Sequence, residues 1–112
     1  MGVTWITGNT GAGKTTTANL MRRPGDIVLD GDEMREVWQN LNMTEKDRIE
    51  NNMRIARLAK MLSDQGLNVI VAVICPYRDL RKAVKKITNC KFIYIEGGKV
   101  GKQYPYQHPR LY

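Results

Sequence analysis

A chain of 112 residues has room for one domain, near the low end of what buries a self-sufficient core, so a single domain is expected. Hydrophobic residues at 42% and charged residues at 26% give a globular composition, and no apolar run approaches the ~20 residues a bilayer span needs. The formal net charge of +7 favours anionic ligands without choosing among a triphosphate, a phosphosulfate and a nucleic acid.

Val3-Thr4-Trp5-Ile6-Thr7 is β-rich and runs into glycines, after which Thr15 to Met21 can coil as a helix. Pro24-Gly25-Asp26 marks a turn, and Ile27-Val28-Leu29-Asp30 predicts a second short strand. A helix starting near Asp32 or Glu33 carries Met34, Val37, Trp38 and Leu41 at helical spacing. The longest helix is expected from Thr44 to about Gln65, with Thr44 and Asp47 as its cap pair and Gly66 beyond its end. Ile49, Met53, Ala56, Ala59 and Leu62 form its core stripe, widened by Ile55 and Leu58. Leu67 to Ile74 is a nearly continuous β-branched run, as in a central strand covered on both faces. Asp79 to Ile87 looks helical, Asn89 breaks it, and Lys91-Phe92-Ile93-Tyr94-Ile95 predicts a fourth strand.

Strands alternating with helices imply right-handed crossovers and a parallel sheet between helices, so the fold class is α/β. Residues 1–112 are read as one domain, in which 96–112 form an irregular tail lying on the rest. Cys75 and Cys90 have neither metal-site spacing nor the density of a disulfide scaffold. With no signal-peptide pattern ahead of Val3, a cytoplasmic chain with reduced thiols is expected.

Gly8-Asn9-Thr10-Gly11-Ala12-Gly13-Lys14-Thr15 matches G-x-x-x-x-G-K-[ST] in full, between a predicted strand and a predicted helix. That context turns backbone N–H groups and a helix N-terminus toward a nucleotide's phosphates. Lys14 is expected to bridge the β- and γ-phosphates and Thr15 to ligate Mg²⁺ through its hydroxyl, with Thr16 completing the nucleotide-binding stretch. Leu29-Asp30-Gly31-Asp32 puts two carboxylates at the C-terminal end of a strand, where parallel α/β folds bind ligands. Asp30 is the candidate base or metal-positioning group, with Asp32 as its alternate, and Gly31 is read as allowing a substrate close to the backbone. The plain alternative is that Asp30 ends the strand and Asp32 caps the next helix. For Lys82, Lys85 and Lys86 a solvated basic surface is the preferred reading.

Beyond the phosphate loop and Asp-Gly-Asp, four ordered blocks resemble the adenylylsulfate kinases, P-loop enzymes that phosphorylate the 3′-hydroxyl of adenosine 5′-phosphosulfate. Trp5-Ile6-Thr7-Gly8 with Gly11-Ala12-Gly13-Lys14-Thr15-Thr16 is similar to their W-[LF]-T-G-x-S-G-A-G-K-S-T, and Leu29 to Arg35 to L-D-G-D-x-x-R. Asp47 to Lys60 resembles D-R-x-E-N-x-R-R-I-A-x-x-A-K, and Ile74-Cys75-Pro76-Tyr77-Arg78 resembles I-S-P-Y-R. The resemblance implies a P-loop NTPase-type three-layer fold, ATP and Mg²⁺ as cofactors, and transfer of the γ-phosphate to the phosphosulfate. It implies that Arg35, Arg48 and Asn51 hold the acceptor together with Asp32, while Ile74, Pro76 and Tyr77 shape the wall beside it. Without the resemblance, Arg48 and Asn51 read as a solvated helix face.

The departures bear on the acceptor. Met43 stands where the family has an adenine-stacking Phe, Cys75 replaces a Ser and Met53 an Arg. The family's lid segments, K-G-L-Y-K-x-A and F-T-G, are not found between Ile95 and the tail, where Lys99, Lys102 and Arg110 are candidates to take over part of their role. A kinase for another nucleotide, a sugar or a polynucleotide end is therefore a second reading, and a nucleotide-binding module without efficient turnover is a third. A small-molecule nucleotide is the expected partner, ahead of nucleic acid; no membrane is expected, and a homodimer would add buried surface to so small a domain.

Overall fold

The computed structural model describes residues 2–109. Its elements run β1 (Val3–Gly8), α1 (Lys14–Met21), β2 (Ile27–Asp30), α2 (Gly31–Trp38), α3 (Glu45–Asp64), β3 (Val69–Ala72), α4 (Arg78–Thr88) and β4 (Lys91–Ile95). The four strands form one parallel sheet in the order β2-β3-β1-β4, with Trp5 opposite Val71 and Phe92.

Strand period decides which side chains face which layer. Val3, Trp5, Val69, Val71 and Val73 point to the face covered by α2, α3 and α4, where Ile55, Ala56, Ala59, Leu80 and Val84 complete the larger core. Ile6, Ile70 and Ala72 point the other way, onto Ala18 of α1. The sheet therefore lies between two helical layers, as expected of this α/β class, and β3 is buried throughout because it is central.

Helix ends follow local chemistry. In α3 the Thr44 hydroxyl accepts from the Asp47 N–H at 3.2 Å and donates to the Asp47 carboxylate, a capping box built with Asp. Asn89 ends α4 in the left-handed region at φ 51°, where Asn is among the residues best tolerated. Two expectations need correcting. Helix α2 stops at Trp38, with Gln39 left-handed, so Leu41 lies beyond it and is exposed, as is Val37. The stripe of α3 is buried as expected at Ile55, Ala56 and Ala59, but Ile49 is turned outward while Asn51 and Asn52 are buried.

After β4 the chain has no helix or strand through residue 109, yet it is tied down. Lys99 N–H donates to the Thr10 carbonyl at 2.8 Å, the Tyr106 and Thr7 hydroxyls pair at 2.8 Å, and Gln107 N–H donates to the Pro76 carbonyl. Arg81, buried, donates to the Cys75 and Gln107 carbonyls and lies over the Tyr106 ring. No helix among the described residues is long and apolar enough to cross a membrane. Arg110, one of the tail cations considered above, lies outside the described residues.

Candidate functional site

The phosphate loop connects β1 to α1, and Gly13, at φ 98°, starts the helix. No acidic side chain occupies the first turn of α1, which leaves its free N–H groups and positive dipole end open to an anion. Thr10, Gly11, Gly13, Lys14, Thr15 and Thr16 line one side of a cavity of about 720 Å³. Asp30, Gly31, Asp32, Arg35 and Arg48 line it as well, with Ile74 just past β3. Sequence blocks far apart along the chain thus meet at the C-terminal ends of the strands, where the topology leaves a crevice.

Asp30 is the joint between the two halves. Its Oδ2 accepts from the Thr15 hydroxyl at 2.5 Å, while its Oδ1 accepts from the Asp32 and Glu33 N–H groups at 2.9 and 3.3 Å. Asp30, and not Asp32, is therefore the cap of α2. Asp32 projects into solvent and pairs with the less exposed Arg35. Gly31 lines the cavity and is also needed for packing: a Cβ there would stand 2.4 Å from Val73 Cγ2, so a side chain would push α2 away from the residue that follows β3.

Lys14 donates from Nζ to the Asn9 carbonyl at 2.8 Å. Burial lowers its pKa, and the carboxylates of Asp32 and Asp30 partly oppose that shift. Arg48 Nε and Asn51 Oδ1 are buried without a hydrogen-bond partner, as are Trp5 Nε1 and Asn52 Oδ1. Asn51, expected to hold the acceptor, is buried and is not among the residues that line the cavity. Among the described residues no group of three or more His, Cys, Asp or Glu could hold a metal by protein ligands alone. Thr15 and Asp30 nonetheless fit Mg²⁺, a hard cation usually held by one or two protein oxygens together with substrate phosphates.

Not every predicted site residue reaches the cavity wall. Gly8 ends β1 opposite Ile95, Ala12 sits within the loop, and Asn9 turns its side chain to the tail. Pro76 is buried, with its carbonyl held by Gln107, and Tyr77 precedes α4 as its cap. Sequence reasoning missed the wall residues Gln103, Tyr104 and Pro105, which arrive from the tail, Leu41, which lies beyond α2, and Ala72 and Val73 at the end of β3 and just past it. It also missed Asn52, whose Nδ2 donates to the Arg48 and Ile74 carbonyls at 2.8 and 3.1 Å and so links two walls of the cavity. A second Asn inside a predicted helix, where Asn is a poor former, was the available signal.

Residues 1–97 match the adenylylsulphate kinase family. The chain belongs to that family. It is 44% identical over 101 residues to the adenylyl-sulfate kinase of Pseudomonas aeruginosa, a match covering 83% of this chain and 52% of the relative. The fold is shared with the Mycobacterium tuberculosis APS kinase CysC, at TM-score 0.80 and 30% identity over 98% of this chain and 80% of that one. A second structure of CysC, in complex with AMPPNP and APS, matches at TM-score 0.74 and 31% identity over 83% of this chain and 60% of that one. This chain spans about half the length of the curated adenylyl-sulfate kinases it matches, from 50% to 56%.

Proposed function

We propose that this adenylylsulfate kinase family member transfers the γ-phosphate of ATP to the 3′-hydroxyl of adenosine 5′-phosphosulfate. The observation that carries the reading is the Thr15 to Asp30 hydrogen bond, 2.5 Å long, which joins the phosphate loop to the acidic element inside one cavity. The complex of the relative CysC with AMPPNP and APS supports the same pair of ligands.

In this reading the loop N–H groups and Lys14 grip the triphosphate, and Thr15 with Asp30 hold Mg²⁺, which when bound neutralises charge on the transferring phosphate. Asp30 has both oxygens engaged, one by two backbone N–H groups, and this favours the metal side for it. Asp32, exposed beside Arg35, is then the acceptor of the hydroxyl proton. Arg35 and Arg48 bind the anionic end of the acceptor, for which guanidinium geometry suits phosphate and sulfate alike. Ile74, two residues past β3, completes that side of the cavity, with Asn51 buried behind Arg48 on the same helix rather than on the wall. The two free cysteines and the use of ATP fit a reducing cytoplasm.

Met43 and Leu41, both exposed on the cavity wall, favour a second reading, in which the same transfer serves a different hydroxyl acceptor. One assay separates the two. With Mg-ATP present, the chain is offered the phosphosulfate and, in parallel, other nucleotides, sugars and DNA 5′-hydroxyl ends. Preferred phosphorylation of the phosphosulfate is expected, and preference for any other acceptor rejects the first reading.

A further inference from the structure

The segment after β4 is fastened to the phosphate loop by a residue no motif requires. Asn9 is buried, and its side-chain Nδ2 donates to two tail carbonyls, Lys99 O and, at 3.2 Å, Tyr104 O. Its Oδ1 accepts from Thr10 N–H at 2.9 Å, so the amide is fixed at both ends. From the other side Lys99 N–H donates to the Thr10 carbonyl at 2.8 Å. Gly98 makes this approach possible, because a Cβ there would lie 2.5 Å from the Thr10 carbonyl oxygen and its φ is +82°.

The consequence is positional. Lys99 and Tyr104 line the same cavity as Lys14 and Thr15, and the Lys99 ammonium rests 5.5 Å from the centroid of the Tyr104 ring. Among the described residues Lys99 makes no ion pair, so its charge is not neutralised by a neighbouring carboxylate. A ring face steadies a cation without cancelling its charge.

We infer that Lys99 is a second phosphate-binding cation of the nucleotide site and that Asn9 is the residue that positions it. The inference rests on the proposed reading in that the ligand is ATP. An ammonium brought to the triphosphate by a segment clamped to the phosphate loop adds a charge-assisted contact that Lys14 alone does not supply.

Equilibrium binding of Mg-ATP, Mg-ADP and AMP to the whole chain tests it, with thermal melts as a check that each variant folds. Lys99→Met is expected to weaken ATP about tenfold and to leave AMP unchanged, with Lys99→Arg restoring most of the loss. Asn9→Ala is expected to reproduce the loss, and the double variant to lose no more than either single one, since both remove the same contact. Unchanged ATP affinity in Lys99→Met, or losses that add in the double variant, overturns the inference while leaving the kinase reading in place. Failure of the parent chain to bind ATP at all overturns both.

Discussion

Asp30 accepts hydrogen bonds from the Asp32 and Glu33 N–H groups and from the Thr15 hydroxyl, so it caps a helix and faces the metal position at once. These two jobs are separable by mutation. Asn caps a helix about as well as Asp but brings no negative charge. Asp30→Asn should therefore melt within about 1 kcal/mol of the parent while turnover falls roughly 100-fold; Asp30→Ala should lose the cap as well. Steady-state kinetics beside denaturant titration distinguish the two. Cys75 gives a prediction of another kind. It is fully buried, and burial pushes its thiol up to about 12. At pH 8 roughly one thiol in ten thousand is then thiolate. The native protein should resist iodoacetamide at Cys75, and at Cys90, which burial shifts in the same direction. Rapid labelling of either in the folded chain, read by peptide mass analysis, would contradict the packing. At this scale the phosphate loop and the Asp-Gly-Asp were legible because their spacing is local. The clamp from Asn9 was not, since its partners lie 90 and 95 residues away and nothing in the sequence around Asn9 encodes them.

Helix α2 begins at the residue after β2 ends, with no loop between them. That junction works because Gly31 leaves room for Val73, whose Cγ2 would meet a Cβ at 2.4 Å. Gly31→Ala should cost about 1–3 kcal/mol by overpacking and shift Asp30 and Asp32 together, so stability and kcat fall in one variant. At the N-terminus of α3, Thr44→Ala removes a cap that the Asp47 N–H and carboxylate both use. A loss of about 1 kcal/mol is expected with little change in ATP binding. Element order, strand identity and both flanking turns of α3 could be read from period and punctuation. Most of the buried face of α3 could too, since Ile55, Ala56 and Ala59 are buried and Met53, Leu58 and Leu62 pack against the core, but its N-terminal part could not. Apolar spacing pointed to a stripe starting at Ile49, whereas Ile49 is exposed and Asn51 and Asn52 lie inside, with Asn52 bonding the Arg48 and Ile74 carbonyls. A buried polar residue whose amide N–H groups bond across two elements defeats a pattern based on hydrophobicity alone.

At the scale of the molecule, the sheet order brings the ends of β1, β2 and β3 to one edge, and helices on both faces leave a crevice there for the phosphate loop, the Asp-Gly-Asp and Arg48. Parallel order and the crevice followed from strand and helix alternation. The return of the tail across the loop did not, because its glycines, prolines and tyrosines carry no period, and its placement comes from hydrogen bonds to Thr7, Asn9, Thr10 and Pro76. The account stands or falls on transfer across that crevice. Its most direct test follows label from [γ-³²P]ATP to the 3′ position of adenosine 5′-phosphosulfate, with the parent chain and Asp30→Asn in parallel. Saturable transfer by the parent, reduced roughly 100-fold in the variant, is the predicted result. Absence of label on the phosphosulfate when the parent binds ATP, or equal transfer by both proteins, would contradict it.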